Sequence, residues 1–498
     1  MENINQTISE VKKADGGSKG SFEIEIAGAD IIKDQDRKGT PQSLFWPWFA
    51  ANISVLGISY GAWVLDFGIS FVQATLIGVI GIILSFFFCG VVALAGKRGS
   101  APTMVLSRAA FGVNGNKVAS ILSWLLTVGW ETILTATAVL AMATVFNTLG
   151  WQDSDSTIKI VAMIVVCVLI IGGGVIGFNL IMKMQTFITV ATGILTVIYI
   201  ALTWNTLDFS AALAIPNGDH QMVIGALVFI LTGFGLGWVN MAADYSRYLP
   251  RKSKDSAVVF WTTFSASCAP IILLLFGLLL AGSNPDLHSA ISADPVGALT
   301  TILPTWFLIP FALVALLGLI GGALLDIYSS GLALVSMGVP VPRYVAAGID
   351  GVIMTLGTIY IAFGGDDFFV VFQGFLITLG VPIAVWAGIM LADTIMRKAA
   401  YSEKDLFDPS GRYGNINPVA ISLMVVGTVI GWGFVTNSYA SWLQWQGYFL
   451  NMFGLSETAW SWANLGVLFA LLIGFLGTLI FARSSIKQQE SQPPRLID

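Results

Sequence analysis

Ala50-Ala51-Asn52-Ile53-Ser54-Val55-Leu56-Gly57 sets small and polar residues in the middle of an apolar segment, about 44–65, long enough to cross a membrane. A second interruption, Thr232-Gly233-Phe234-Gly235-Leu236-Gly237-Trp238, lies inside another apolar segment five segments later. Glycine destabilises a helix interior and frees its backbone. At membrane depth such backbone is tolerated only where it lines a cavity or is buried in protein. Interrupted helices at matching places in two halves mark the binding site of many secondary transporters. A first-and-sixth pairing is what a five-plus-five inverted repeat would produce. The other reading is that these glycines only permit close helix packing.

Composition points the same way. The chain has 498 residues, 56% hydrophobic and 11% charged, with a mean hydropathy of +0.81. Soluble chains carry about 25% charged residues, so a disordered chain, a disulfide scaffold and an ordinary soluble enzyme are excluded. The apolar runs are continuous, which excludes an outer-membrane barrel. The net charge of −5 offers no basic balance for nucleic acid. Cys89, Cys167 and Cys268 fall inside apolar runs and read as small buried hydrophobes. Neither metal nor cofactor is expected.

Twelve spans are expected, giving an all-α polytopic membrane protein: about 44–65, 70–95, 117–147, 157–177, 182–204, 221–246, 256–282, 303–337, 342–363, 368–396, 416–436 and 459–482. Alternate loops differ in charge. One set carries Lys97, Arg98, Arg108, Lys117, Lys183, Arg247, Arg251, Lys252, Lys254, Arg343, Arg397, Lys398, Lys404 and Arg412. The other carries Asp66, Asp153, Asp155, Asp208, Asp219, Asp286, Asp294, Asp366 and Asp367, with Lys159 the basic exception. By the positive-inside rule the basic set and both termini face the cytoplasm, with the protein in the plasma membrane. Residues 1–43 and 483–498 read as polar tails, the first mobile up to Ser43, and no cleaved signal peptide is expected. His220 and His288 read as solvated loop histidines.

Several polar groups have no cheap reason to sit in a membrane. Glu131 is central in the third span, on a stripe with Thr127 and Thr135. Asp326 is central in the eighth, and Gly318, Gly322, Asp326 and Ser330 recur at four-residue spacing, as in a cavity wall. Intramembrane carboxylates face a partner or a cavity, and a buried one can carry a proton; the bland alternative is a protonated acid bonded to a neighbouring helix. Asp244 with Arg247, and Asp393 with Arg397, read as boundary pairs. Trp46 and Trp48 read as interface anchors. Trp130 and Trp238 lie beside the polar positions, where flat faces could sandwich a planar ligand.

These residues resemble the nucleobase–cation symporters, in particular their cytosine/purine permease branch. The resemblance is carried by Trp48-Phe49-Ala50-Ala51-Asn52, Lys97-Arg98-Gly99, Ser107-Arg108-Ala109-Ala110-Phe111-Gly112-Val113, Val128-Gly129-Trp130, Ala243-Asp244-Tyr245-Ser246-Arg247-Tyr248, Tyr328-Ser329-Ser330-Gly331-Leu332 and Leu391-Ala392-Asp393, in order over about 44–480. It implies the five-plus-five fold, as repeats over about 44–204 and 221–396, plus two extra helices over about 416–482. It also implies cation-driven uptake of a nucleobase-like small molecule across the lipid bilayer by alternating access. The family's stacking tryptophan falls on Trp130. Its second aromatic falls on Trp238, or on Phe234 one turn earlier, with Gly235 in the same run. Its first-span polar contact falls on Ser54. The amide that bonds the base falls on Asp326, and another falls on Leu134, which cannot hydrogen-bond and whose role the resemblance passes to Glu131. Sodium-binding members offer carbonyls matching Ala50 and Ile53. Their span-eight hydroxyls, however, fall on Ile320, Gly321 and Gly322, which have none. The resemblance therefore leans to proton coupling, with Glu131 and Asp326 as carriers. An amine-bearing vitamin (thiamine or a B6 vitamer) and hydantoin or allantoin are the alternative substrates. A membrane enzyme lacks any supporting motif, and a channel fits poorly with interrupted spans.

Overall fold

The computed structural model describes residues 28–364, 368–437 and 440–497, and among them every regular element is a helix. Asp366, Asp367 and residues 1–27 lie outside the described residues. The first span is α1 (Phe45–Asn52) and α2 (Leu56–Leu65), bent by 65° at the break. Then come α3 (Phe71–Gly99), α4 (Lys117–Thr148), α5 (Asp155–Ile176) and α6 (Phe178–Thr203). The sixth span is divided into α7 (His220–Gly233), α8 (Gly235–Trp238) and α9 (Ala242–Ser246). It is followed by α10 (Asp255–Ser283), a short α11 (Pro285–Ala293), α12 (Thr305–Ser336), α13 (Arg343–Gly364) and α14 (Phe368–Met396). The chain closes with α15 (Pro418–Gly433), α16 (Leu465–Phe481) and α17 (Arg483–Glu490).

Nine of the described helical stretches are long and apolar enough to cross a membrane, or eleven if each bent pair is one span. The shorter apolar α15 stands where the remaining expected span was placed. The protein is thus a multi-pass membrane protein.

Local chemistry accounts for the boundaries. Ser70 and Gln73 form a reciprocal capping box at the start of α3, each bonding the other's backbone N–H. Both expected breaks occur. Ile53 leaves helical geometry at φ −88°, ψ 69°, and Phe234 does so at φ −113°, ψ −110°. Backbone groups released at the second break find partners on neighbouring spans. Ser85 Oγ accepts from Gly235 N at 3.0 Å, and Tyr60 donates its hydroxyl to the Gly233 carbonyl at 3.1 Å. This is how non-helical backbone survives in a low-dielectric interior. Where α2 crosses α10, Gly61 and Gly277 let the backbones touch: a Cβ on Gly277 would lie 1.9 Å from the Ile58 oxygen.

Three expectations need correction. Trp48 is no interface anchor: it is 1% exposed and packs edge-on against Phe86, Trp238 and Tyr245, whereas Trp46 is half exposed. The N-terminal tail is already docked before Ser43. The buried Arg37 guanidinium donates to the carbonyls of Leu249 and Lys97 and to Ser100 Oγ, a use of its planar fork that composition does not reveal. Asp244 takes hydrogen bonds from Thr103 and Ser329, with the Arg247 charge also acting on it, so the expected pair is part of a wider polar cluster. Asp393 and Arg397 do form their pair, a buried bidentate one at 2.8 and 3.0 Å.

Candidate functional site

The two breaks face one cavity of about 60 Å³, above the roughly 10–15 Å³ that a single water needs. The first span contributes Ala51, Asn52, Ser54, Leu56, Gly57 and Tyr60; α4 contributes Trp130 and Leu134; the sixth span contributes Gly233, Phe234 and Trp238; α12 contributes Gly318 and Gly322. No lining residue carries a formal charge.

Its walls are built from aromatics braced by other aromatics. Trp130 meets Phe372 and Phe375 edge-on at 5.4 and 6.0 Å between centroids. Trp238 meets Trp48 at 6.2 Å, and Phe234 meets Tyr60 at 4.4 Å. Braced rings keep their faces available for stacking. The glycines of the break set the spacing: a Cβ on Gly237 would lie 3.0 Å from Trp130 Nε1. That buried indole N–H has no partner among the described residues. It is a donor aimed at whatever fills the space, since an unmatched buried donor is costly. Asn52 donates to the Trp48 carbonyl at 2.9 Å, and Ser54 Oγ accepts from Leu56 N at 3.3 Å, capping α2.

The structure therefore brings Ser54, Trp130, Phe234 and Trp238 together, along with Leu134, Gly318 and Gly322. Ala50, Ile53, Glu131, Gly235 and Asp326 do not line the cavity. Glu131 is fully buried, one residue around α4 from Trp130, and its oxygens make no direct hydrogen bond among the described residues, the Ser330 hydroxyl being the donor beside them. It faces α12 and α13, where Asp350, Ser330 and Asp326 are its polar neighbours. Asp326 is 2% exposed. In the sequence Asn52 is only part of a motif, and Tyr60 carries no signal. Asp350 was legible as an acid inside an apolar span, but only the fold gives it neighbours.

On the expected outer side, His288 is not a freely solvated loop histidine. Its Nε2 lies 2.8 Å from Asp66 Oδ1 at the end of α2. The Asp66 carboxylate, by hydrogen bond and charge, raises the imidazole above its ordinary value against the opposing effect of burial.

Two broken spans around an uncharged aromatic cavity, inside a bundle of apolar helices, define a secondary transporter and not an enzyme. Residues 31–461 match the permeases for cytosine/purines, uracil, thiamine and allantoin, and the chain belongs to that family. It is 24% identical to a putative purine-cytosine permease of Bacillus subtilis over 88% of this chain and 93% of the relative. It is 23% identical to a purine-cytosine permease of Saccharomyces cerevisiae over 53% of this chain and 48% of the relative. Its fold is that of Mhp1, a nucleobase-cation-symport-1 family transporter, in a closed conformation with bromovinylhydantoin bound. The TM-score is 0.64 at 17% identity, covering 93% of this chain and 98% of Mhp1. The five-plus-five inverted-repeat fold with extra C-terminal helices is thereby established.

Proposed function

We propose that the protein imports a planar nucleobase, cytosine or a purine, coupled to protons, by alternating access in the plasma membrane with both termini inside. The observation that carries this reading is the cavity at the double break, walled by Trp130, Phe234 and Trp238. The base stacks on Trp130 and on an aromatic of the sixth span, an interaction worth about 1–3 kcal/mol per base in other proteins. The unpartnered Trp130 Nε1, the Ser54 hydroxyl and the Asn52 amide supply the directional contacts. The repeats, about 44–204 and 221–396, rock about this site while the helices of 416–482 pack outside.

The absence of charge among the lining residues favours a neutral base over an amine-bearing vitamin, whose cation would want a carboxylate in the site. Allantoin and hydantoin remain the second reading, since the cavity would stack either ring.

Proton coupling is favoured over sodium by one contact. Gln185 of α6 donates its Nε2 to the Gly321 carbonyl at 2.6 Å, on the stretch of α12 where sodium-binding relatives place hydroxyls. Sodium wants several oxygen ligands; no hydroxyl is offered on this stretch, and the Gly321 carbonyl already accepts from an amide. Glu131 and Asp326 are the buried acids on which this reading places the coupling, Glu131 as carrier and Asp326 between it and the cavity.

Uptake of labelled cytosine and adenine into proteoliposomes, under a proton gradient and separately a sodium gradient, tests the reading. Proton-driven accumulation supports it. Transport of thiamine or allantoin in preference to either base overturns the substrate, and a sodium requirement overturns the coupling.

A further inference from the structure

Outside the cavity, the Glu131 carboxyl of α4 lies within reach of the charge of Asp350 on α13 and, more weakly, of Asp326 on α12. Glu131 comes from α4, Asp326 from α12 and Asp350 from α13, and all are at most 2% exposed. Asp350 is anchored: its Oδ1 accepts from Trp124 Nε1 at 2.7 Å and its Oδ2 accepts from Ser330 Oγ at 2.7 Å. Glu131 differs: both oxygens are buried and make no direct hydrogen bond among the described residues, and the donor beside it is the Ser330 hydroxyl, which is turned to Asp350. The charged groups that act on it are Asp350, first, and Asp326; none comes from α5 or α14, which also pack against α4. No lysine, arginine or histidine pairs with any of the three acids among the described residues.

Neighbouring carboxylates in a low-dielectric interior without a cation cannot all be ionised. The donors decide which keeps its charge. Asp350 accepts from two donors, whereas Glu131 makes no direct bond and shares only the Ser330 hydroxyl with it, so the proton is assigned to Glu131. A single stripe of α12 joins this place to the cavity: Gly318 and Gly322 line the cavity, Asp326 follows one turn on, and Ser330 one turn further bonds Asp350.

We propose that Glu131 and Asp350 form the proton-binding pair of the transporter, with Asp350 the anchored carboxylate and Glu131 the group that gains and loses the proton. This rests on the proton-coupled reading above and adds Asp350, with Trp124 and Ser330 as its positioning residues. In each cycle Glu131 takes one proton from the outer side, becoming a neutral acid, and returns it to the inner side, becoming a carboxylate again. Asp326 relays the state of the pair to the cavity through α12.

The test uses the full chain in proteoliposomes, with two readouts. Infrared difference spectra between acid and alkaline buffer should contain a protonated-carboxyl signal that is absent from Glu131→Gln and appears at a different pH in Asp350→Asn. Asp350→Asn is read by accumulation of cytosine under an imposed pH gradient. It should lose the roughly tenfold accumulation that one pH unit sustains for one proton per substrate. Should Asp350→Asn fail to fold, Ser330→Ala removes one donor without changing the packing much and should still displace the infrared signal. A carboxyl signal that survives in Glu131→Gln, or an Asp350→Asn protein that accumulates cytosine like the wild type, overturns the pair. Failure of the wild type to accumulate any base overturns the transport reading instead, and the infrared measurement still decides the pair.

Discussion

Gln185 Nε2 lies 2.6 Å from the carbonyl oxygen of Gly321, so α6 and α12 are tied by an amide donor beside the break in the first span. A carbonyl engaged by an N–H is a poor cation ligand. Replacing sodium with a large organic cation is therefore expected to leave uptake unchanged. Gln185→Ala should lower thermal stability by about 0.5–1.5 kcal/mol, the net worth of one hydrogen bond. Stimulation of wild-type uptake by sodium would contradict this assignment.

Trp130 supplies a stacking face and an unmatched N–H. Trp130→Ala should weaken base binding by about 1–3 kcal/mol, roughly 5- to 150-fold in Kd. Trp130→Phe should recover most of the stacking but not the hydrogen bond. Direct binding of labelled cytosine to the purified variants measures both, and equal affinities for all three proteins would remove Trp130 from the site.

Two glycines separate stability from binding. At Gly277 an added methyl would sit 1.9 Å from the Ile58 oxygen, and backbone cannot swing away as a side chain can. Gly277→Ala should cost at least about 1–3 kcal/mol and sharply reduce folded yield. At Gly318 the nearest atoms to an added methyl are 3.5 and 3.6 Å away, an ordinary contact. Gly318→Ala should fold like the wild type and bind a purine less well than the smaller cytosine, because the methyl occupies cavity volume. Size-exclusion yield and competition binding test the contrast.

The His288–Asp66 contact predicts a pH effect with a definite sign. Asp66 raises the imidazole above its ordinary value, so the ion pair is complete in acid and is lost as pH rises through that raised value. Both groups are partly exposed, so screening limits the gain to about 0–1 kcal/mol. The melting temperature of the wild type should exceed that of His288→Gln in acid and converge with it at alkaline pH. A difference that grows with pH would sink the assignment.

Much of this was legible in the chain itself. Apolar runs of membrane length determined the spans, because no other structure hides backbone polar groups in lipid. The glycine and polar runs at Ala50–Gly57 and Thr232–Trp238 determined where two spans break, because helix propensity is a local property. Loop charge, likewise local, gave the expected orientation. The acids show the limit. Glu131 and Asp326 were visible as costly residues, yet nothing in their spacing says which helix faces them. Only the tertiary structure turned Glu131 away from the cavity toward Asp350 and left the cavity uncharged. It also buried Trp48 and docked Arg37 on Leu249, 212 residues away. Helix periodicity specifies which residues share a face; what that face meets is decided by packing between segments distant in sequence.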